Sequence, residues 1–315
     1  MDKVFISDRV TNPDIEKSIL GEFLTTEYSK DITVIMVWHQ VVNASYLNDF
    51  PNLKGIIRYG VGFDKIDLEA CAERGIVVCN NPDYCTEEVS TTATAMILNS
   101  SRCISRYDEL ARNYRSGWQE NVLPHITRNS ELTIGFIGLG RIGAMTLTAC
   151  QASRYKTQFY DPYLPEGMDK VINSTKVDQL DNLLASSDIV SIHCPLNKET
   201  VGMVDDTFIK KMKAGSSLIN TARGTILDSL DCIYTGLKSN HLNSVHLDVL
   251  PDEPPKSHPL IDAWRNRDDW LAGRLTINPH SAYHSIESGI EQRHKAAKNA
   301  LKAVTTGVFS NIVNE

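Results

Sequence analysis

Leu132-Thr133-Ile134-Gly135-Phe136-Ile137-Gly138-Leu139-Gly140-Arg141-Ile142-Gly143 is an apolar run that passes directly into a Gly-x-Gly-x-x-Gly spacing. Each glycine has a physical task in a strand–turn–helix unit. Gly138 permits the tight turn, Gly140 lets backbone approach a pyrophosphate, and Gly143 lets helix and strand pack closely. The helix start that follows offers unpaired N–H groups and a partial positive charge to phosphates. A glycine turn alone is a weak signal, and the next strand strengthens it. Thr157–Tyr160 ends at Asp161, eighteen residues after Gly143. A carboxylate there accepts hydrogen bonds from ribose hydroxyls and repels a 2′-phosphate. No Arg or Lys follows in the next few residues, so the pattern favours NAD over NADP.

Outward from this unit, short apolar runs alternate with helical stretches. Before it lie Val4–Ser7, Thr33–Val37, Gly55–Tyr59 and Ile76–Cys79, with a helix over Asp67–Arg74 between the last two. One long helix is expected from about Glu87 to Arg115, followed by a loop at Gly117 and Pro124. The second series has strands at Thr133–Gly138, Thr157–Asp161, Ile189–His193, Ser217–Asn220, Ser244–Asp248 and Arg274–Ile277. Alternation of this kind predicts parallel sheets covered by helices. Six strands match a doubly wound nucleotide-binding sheet. The tail Ser285–Phe309 reads as a helix with no sheet of its own, packing back on the first domain. The expected fold class is α/β, with two domains, each a parallel sheet with helices on both faces. A discontinuous, smaller flavodoxin-like substrate domain takes residues 1–103 and 286–315. A Rossmann NAD-binding domain takes residues 104–285.

A chain of 315 residues suits two domains. Net charge is −7 and no long Lys/Arg block occurs, which argues against a nonspecific grip on nucleic acid. The N-terminus reads as a strand rather than a secretion signal, and no apolar run spans a bilayer. A cytoplasmic protein is the expectation. The seven cysteines (Cys71, Cys79, Cys85, Cys103, Cys150, Cys194 and Cys232) are irregularly spaced without Cys-x-x-Cys, so reduced thiols and no metal are expected.

Three later segments carry chemical side chains at strand ends. Ser217-Leu218-Ile219-Asn220-Thr221-Ala222-Arg223-Gly224 leaves Arg223 beyond one strand. Asp248, Asp252 and Glu253 follow another, and Asn278-Pro279-His280 follows a third. Ligands of open α/β sheets bind at the carboxyl ends of strands, so these groups are candidates for one cleft. With Arg58-Tyr59-Gly60-Val61-Gly62-Phe63-Asp64-Lys65-Ile66-Asp67, Gly75-Ile76-Val77-Val78, His193-Cys194-Pro195-Leu196, Asn220-Thr221-Ala222-Arg223-Gly224, Glu253-Pro254 and Pro279-His280, the chain resembles the D-2-hydroxyacid dehydrogenases from end to end.

The resemblance implies that Arg223 binds the substrate carboxylate and polarises the carbonyl, as a planar guanidinium fork can. It implies that His280 is the general acid in reduction and the base in oxidation. Glu253 orients that ring and favours its protonated form; spacing alone does not separate Glu253 from its neighbour Asp252. Cofactor contacts are implied at Thr86, Gly138, Gly140, Arg141, Ile142, Gly143, Asp161, Pro195, Thr200, Thr221, Ala222, Asp248 and His280. Substrate contacts are implied at Tyr59, Gly60, Val61 and Gly62, where backbone N–H groups can face an anion. The partners implied are a small 2-oxo or 2-hydroxy acid and a second copy of the chain, as a homodimer.

Two other readings stay open. His280-Ser281-Ala282-Tyr283-His284-Ser285 and Asp161-Pro162-Tyr163 are similar to the C-terminal-binding-protein corepressors of the same family, whose output is NAD(H) sensing. A phosphoglycerate or phosphite dehydrogenase-type enzyme uses the same scaffold, and an extra cation such as Arg58 or Lys65 would favour it. Four departures from the family pattern stand out. Thr91 and Thr92 follow Val89 where many relatives carry acidic and His residues. Residues between Arg9 and Asp31 are few. His246 takes a strand position where a small residue is usual. Pro255–Gly273 is long and holds Trp264 and Trp270. No regulatory domain is expected after Glu315.

Overall fold

The computed structural model describes residues 2–112, 118–119 and 122–314. Its contacts divide the chain into two compact units, Met1–Cys85 with His284–Glu315, and Thr86–Tyr283.

The first unit is built on a five-stranded parallel sheet. Its strands are β1 (Lys3–Ile6), β2 (Leu24–Thr25), β3 (Ile32–Val37), β4 (Gly55–Arg58) and β5 (Val77–Cys79), in the order β2-β1-β3-β4-β5. Side chains alternate across a strand, and β3 shows both faces buried. Ile32, Ile35 and Val37 enter one apolar cluster, while Val34 and Met36 enter the other. A strand buried on both sides reads as a continuous apolar run, which is why Thr33–Val37 was legible. The stretch after Arg9 holds a helix, Asp14–Leu20, and the two-residue β2, so both elements are present but short.

The C-terminal helix Ile286–Thr306 belongs to this unit. Ala296, Ala297, Ala300 and Ala303 pack in the cluster that holds Val34, Met36 and Ile57. Small side chains let the helix lie close to the sheet. Ser285 and Ser288 bond reciprocally at its start, a capping box, and Gly307 ends it with φ +72°. A buried ion pair ties this helix to the N-terminal one. Arg293 Nε donates to Glu16 Oε1 at 2.9 Å, and Nη2 donates to Glu16 Oε2 at 2.6 Å and to Asp14 Oδ1 at 2.8 Å. Glu16 is wholly buried, and its Oε1 also accepts from the Tyr59 hydroxyl at 3.0 Å.

The second unit has a seven-stranded parallel sheet in the order β12-β11-β10-β9-β6-β7-β8. Its strands are β6 (Thr133–Ile137), β7 (Lys156–Tyr160), β8 (Thr175–Lys176), β9 (Ile189–Ile192), β10 (Ser216–Asn220), β11 (Leu242–Leu247) and β12 (Leu275–Ile277). Six were expected from sequence. The seventh, β8, is a two-residue edge strand, too short to show a period. Both faces are covered here too: Ile134, Phe136 and Ile219 pack in one cluster, Ile137, Leu218 and Val245 in another.

The expected long helix is two helices, Thr86–Arg102 and Ile104–Arg112, broken at Cys103 with φ +52°. Asn99 explains the break: its Oδ1 accepts from Ser105 N and its Nδ2 donates to Ser105 Oγ, both at 2.9 Å. Asn and Ser side chains compete with the helical ladder in this way. Arg115 and Gly117, also placed in this stretch from sequence, lie outside the described residues. The first of the two helices counts with the second unit, where Met96 and Ile97 pack beside Ile134 and Phe136. The sequence predicts boundaries at 103/104 and 285/286; the contacts divide at 85/86 and 283/284.

The Pro255–Gly273 segment contains the helix Pro259–Asn266. Trp264 and Trp270 pack against the unit's own larger cluster. Trp270 meets Tyr234 edge-on at 5.7 Å, with the Lys238 ammonium 4.2 Å from its ring centroid. All seven cysteines are free and buried, and burial pushes the Cys150 thiol up to about 12. Among the described residues no helix is long and apolar enough to cross a membrane, and no group of three His, Cys, Asp or Glu is placed to hold a metal ion.

Two predictions follow from buried charge. Replacing Arg293 by Met strands the Glu16 carboxylate, and urea unfolding should show a loss of about 3–5 kcal/mol. Adding Glu16→Gln should recover much of it; equal loss in single and double variants would refute the pairing. His246 is 1% exposed, and burial lowers its pKa to about 4. The unfolded chain binds a proton below about 6.5 and the folded chain only below about 4. Stability from the neutral ring is therefore complete above 6.5 and lost as pH falls through that window. One pKa unit is worth about 1.4 kcal/mol. The stability gap between wild type and His246→Gln should shrink by about 2 kcal/mol from pH 7 to pH 5; a constant gap would refute it.

Candidate active site

The glycine turn sits at the carboxyl end of β6. Gly138 has φ +85°, a region that L side chains avoid. A Cβ there would lie 2.6 Å from Cys194 N, and one at Gly143 would run into the Gly138 carbonyl. Around Gly140 a Cβ would meet nothing within 4 Å, so the turn has an open side. Gly140 caps the helix Arg141–Ala152, whose first residues are Arg141 and Ile142. This helix start, twelve residues of helix behind it, directs unpaired N–H groups and its dipole toward the open side.

Asp161 follows β7 and does more than the sequence suggested. Its Oδ2 accepts from Leu139 N at 2.8 Å and its Oδ1 from Tyr163 N at 3.0 Å. The carboxylate therefore holds the glycine turn in shape, and its remaining lone pairs stay available for hydroxyls. Beyond β9, the loop from Pro195 to Thr200 closes on itself. The Thr200 hydroxyl donates to Pro195 O at 2.6 Å, and Asn197 N donates to Thr200 Oγ1 at 2.9 Å. Thr200's side chain thus shapes the loop. Thr86 starts the helix Thr86–Arg102 in the same unit.

Beyond β10, Asn220 organises the segment that carries Arg223. Its Oδ1 accepts from Ala222 N at 3.0 Å and its Nδ2 donates to Arg223 O at 2.9 Å. Arg223 Nη1 donates to Ala222 O at 2.7 Å. A Cβ at Gly224 would collide with the Leu250 carbonyl, so this glycine lets the Arg223 loop press against the loop after β11. The sequence alone gives Asn220 no role of its own. Its signal was an amide at the end of the otherwise apolar Leu218-Ile219. Thr221 is 8% exposed, and its Oγ1 is buried with no hydrogen-bond partner among the described residues. A buried hydroxyl without a partner is costly and suits a surface completed by a bound ligand.

The loop after β11 brings the carboxylates. Asp248 is 2% exposed, and its Oδ1 accepts from Ser281 N at 2.9 Å and Ala282 N at 3.0 Å. Burial pushes its carboxyl upward, partly opposed by those two donors. The Asp248 carbonyl accepts from His280 N at 2.8 Å, so Asp248 fixes the segment on both sides of the histidine. Glu253 Oε1 accepts from Leu250 N at 3.0 Å and Oε2 meets His280 Nδ1 at 2.7 Å. Burial acts to raise the Glu253 carboxyl. The His280 bond, the Leu250 N–H and the Arg223 charge outweigh it, and the carboxyl is held below the usual range.

His280 has φ +52° and a side chain 42% exposed. Its Nε2 makes no hydrogen bond to the described residues, whereas Nδ1 is committed to Glu253. The structure thus brings Arg223, Glu253 and His280 together on the loops after β10, β11 and β12, and Asp252 pairs with Lys256 instead. His246 is not among them. Its Nδ1 bonds Thr276 Oγ1 at 2.7 Å within the core.

The loop Tyr59–Gly62 belongs to the first unit. The Tyr59 side chain is wholly buried, stacked on Trp38 at 5.1 Å and bonded to Glu16. Only its backbone is offered by the loop. Asn81 N donates to Gly60 O at 3.1 Å and Asn80 Nδ2 to Val61 O at 2.8 Å, which leaves the N–H groups of Gly60, Val61 and Gly62 without partners among the described residues.

The glycine turn, the open helix start and the orphaned Thr221 hydroxyl fit a dinucleotide, and comparison with known proteins agrees. The sequence profile described as "D-isomer specific 2-hydroxyacid dehydrogenase, NAD binding domain" matches residues 94–282. A glyoxylate reductase of Thermofilum pendens is 33% identical over 298 residues, 93% of this chain and 84% of that protein. A D-3-phosphoglycerate dehydrogenase of Archaeoglobus fulgidus is 34% identical over 250 residues, 79% of this chain but only 46% of that longer protein. The crystal structure of a D-lactate dehydrogenase from Aquifex aeolicus, complexed with NAD and lactic acid, superposes with a TM-score of 0.83 over 99% of both chains, at 28% identity. The chain therefore belongs to the D-isomer specific 2-hydroxyacid dehydrogenase family, and its cofactor is NAD.

Proposed function

We propose that this NAD-dependent 2-hydroxyacid dehydrogenase reduces a small 2-oxo acid to its D-2-hydroxy acid, or the reverse, with Arg223, Glu253 and His280 as its working side chains. The observation that carries the reading is the 2.7 Å bond between Glu253 and His280 Nδ1, which leaves Nε2 uncommitted. With Nδ1 held by a carboxylate, the mobile proton is the one on Nε2. His280 gives that proton to the carbonyl oxygen during reduction and takes it back from the hydroxyl during oxidation. Glu253, charged through neutral pH, orients the ring and stabilises its cation. Arg223 holds the substrate carboxylate and polarises the carbonyl. The nicotinamide, when bound, supplies or accepts the hydride.

In this reading the glycines 138, 140 and 143, with Arg141 and Ile142, receive the pyrophosphate, and Asp161 receives the ribose. Pro195, Thr200, Thr221, Ala222, Asp248 and Thr86 complete the cofactor surface. The N–H groups of Gly60, Val61 and Gly62, without partners among the described residues, support a substrate role for that loop. A cytoplasmic homodimer is part of the same proposal, by resemblance to the family.

A second reading, a phosphorylated substrate, draws on the first unit. The His39 ring is held below its ordinary pKa by burial and by the charges of Arg9, Arg58 and Lys65. Arg58 also lies against Gly60, with Nη1 3.1 Å from where a Cβ would stand. A cation so close to the loop suits a second anionic group.

His280→Ala should lower kcat for 2-oxo acid reduction by roughly 10²–10⁴-fold, far more than it weakens NADH binding measured by fluorescence. Arg223→Lys should raise KM for the acid about 10–100-fold, as the bidentate fork is lost. Glu253→Gln should lower kcat about tenfold or more with KM for the acid nearly unchanged, because the carboxylate that orients the His280 ring at 2.7 Å is gone. Full activity in His280→Ala would sink the assignment.

A panel of glyoxylate, pyruvate, hydroxypyruvate, phosphohydroxypyruvate and bulkier 2-oxo acids separates the substrate readings. A higher kcat/KM for phosphohydroxypyruvate than for hydroxypyruvate, abolished by Arg58→Gln, would select the phosphorylated class. NADH binding without turnover of any acid would select the NAD(H)-sensing role instead.

A further inference from the structure

A cleft of about 290 Å³ opens in the first unit, between the segment after β5 and the helix Ile286–Thr306. Its base is apolar, with Ile57 and Ala296. Its walls are amides: Asn80, Asn81, Asn299 and Asn311. Three lysines, Lys295, Lys298 and Lys302, line it from one face of the helix, at the i, i+3, i+7 spacing that stacks side chains on one stripe. In a chain of net charge −7 this is a local concentration of positive charge.

The charge is not cancelled within the cleft. Asp83 is its one lining carboxylate, and it pairs with Lys295 at 2.8 Å. Lys302 Nζ donates to Ser310 Oγ at 3.0 Å, a neutral partner. Lys298 has no ion pair or hydrogen bond with the described residues. Two lysines are thus left over for an incoming anion. The amide walls are already rigid. Asn299 Oδ1 accepts from Ser310 N at 3.0 Å while its Nδ2 donates to Ser310 O at 2.8 Å. Asn81 is 3% exposed and its Nδ2 donates to Gln292 O at 2.8 Å. Preformed walls spare a ligand the cost of ordering them.

We propose that this cleft is a second anion site, binding a compact organic dianion of the size of a three- or four-carbon phosphate monoester or dicarboxylate. Two of its walls also support the Tyr59–Gly62 loop. Asn80 Nδ2 holds Val61 O, and Asn81 N holds Gly60 O. An occupant of the cleft and that loop therefore share their supports. The site does not depend on the catalytic reading of Arg223 or His280.

Isothermal titration calorimetry on the full chain tests it, at low ionic strength where such charges are least screened. The background carries Arg223→Ala, so that the proposed catalytic arginine does not contribute. Glycerol 3-phosphate, succinate and inorganic phosphate are the probes. Saturable binding of one equivalent is expected, weakened about tenfold or more by Lys298→Glu, a change at an exposed position, with NADH binding unaltered. Tighter glycerol 3-phosphate than succinate assigns the phosphate source, and the reverse assigns the dicarboxylate. No saturable heat with any probe, or equal affinity in Lys298→Glu, overturns the proposal.

Discussion

Every strand of the seven-stranded sheet runs parallel to its neighbours, and that single constraint assembles the candidate site. In a parallel sheet all carboxyl ends fall on one edge, so whatever each strand delivers past its last hydrogen bond is delivered to the same place. The ladder continues one step beyond the strands and fixes the delivery. Gly138 N bonds Tyr160 O at 3.0 Å, His193 N bonds Ile137 O at 2.8 Å, and Asp248 N bonds Asn220 O at 2.9 Å. His280 N then bonds Asp248 O at 2.8 Å. The position of the imidazole is thus set by backbone register, and side-chain bonds refine it.

Two carboxylates at this edge are pushed in opposite directions, and the difference separates their tasks. Asp248 is buried, and two backbone donors do not fully offset the loss of water. It ties loops together. Glu253 is less deeply buried and faces a cation-forming ring with an arginine nearby, so it keeps its charge. Environments that drive two like groups apart mark where proton chemistry is arranged. The order of the three elements in the chain (arginine, glutamate, histidine) follows from the sheet order β10, β11, β12 and not from any local motif.

Much of this was legible in the sequence because parallel strands buried on both faces appear as unbroken apolar runs. The ten runs read as strands all exist, within a residue or two at their ends. What escaped had a definite cause in each case. The strands β2 and β8 are two residues long, and two residues carry no period. The break at Cys103 lies inside a continuous helical pattern and is made by Asn99 reaching over to Ser105. The sequence places Tyr59 in a ligand loop, but its phenol is engaged with Glu16, and a contact across 43 residues leaves no local trace. The same holds for Asp161, whose bond to Leu139 N spans 22 residues and makes it a support for the turn. Chemistry at strand ends is visible in a sequence, whereas the side chains that brace it become visible only after folding.

His246 shows how finely position along a strand decides the role of a polar residue. It precedes Asp248 by two residues, so both belong to the same alternating set of side chains. Two residues of strand are about 6–7 Å. Asp248 lies beyond the last residue of β11, where backbone N–H groups from the β12 loop reach its carboxylate. His246 lies inside the strand, where Thr276 of the neighbouring strand is its only bonded partner among the described residues and burial holds the ring neutral well below pH 6. A neutral ring with one committed nitrogen supplies no cation to substrate or cofactor. The departure from the usual small residue therefore changes how the core responds to acid.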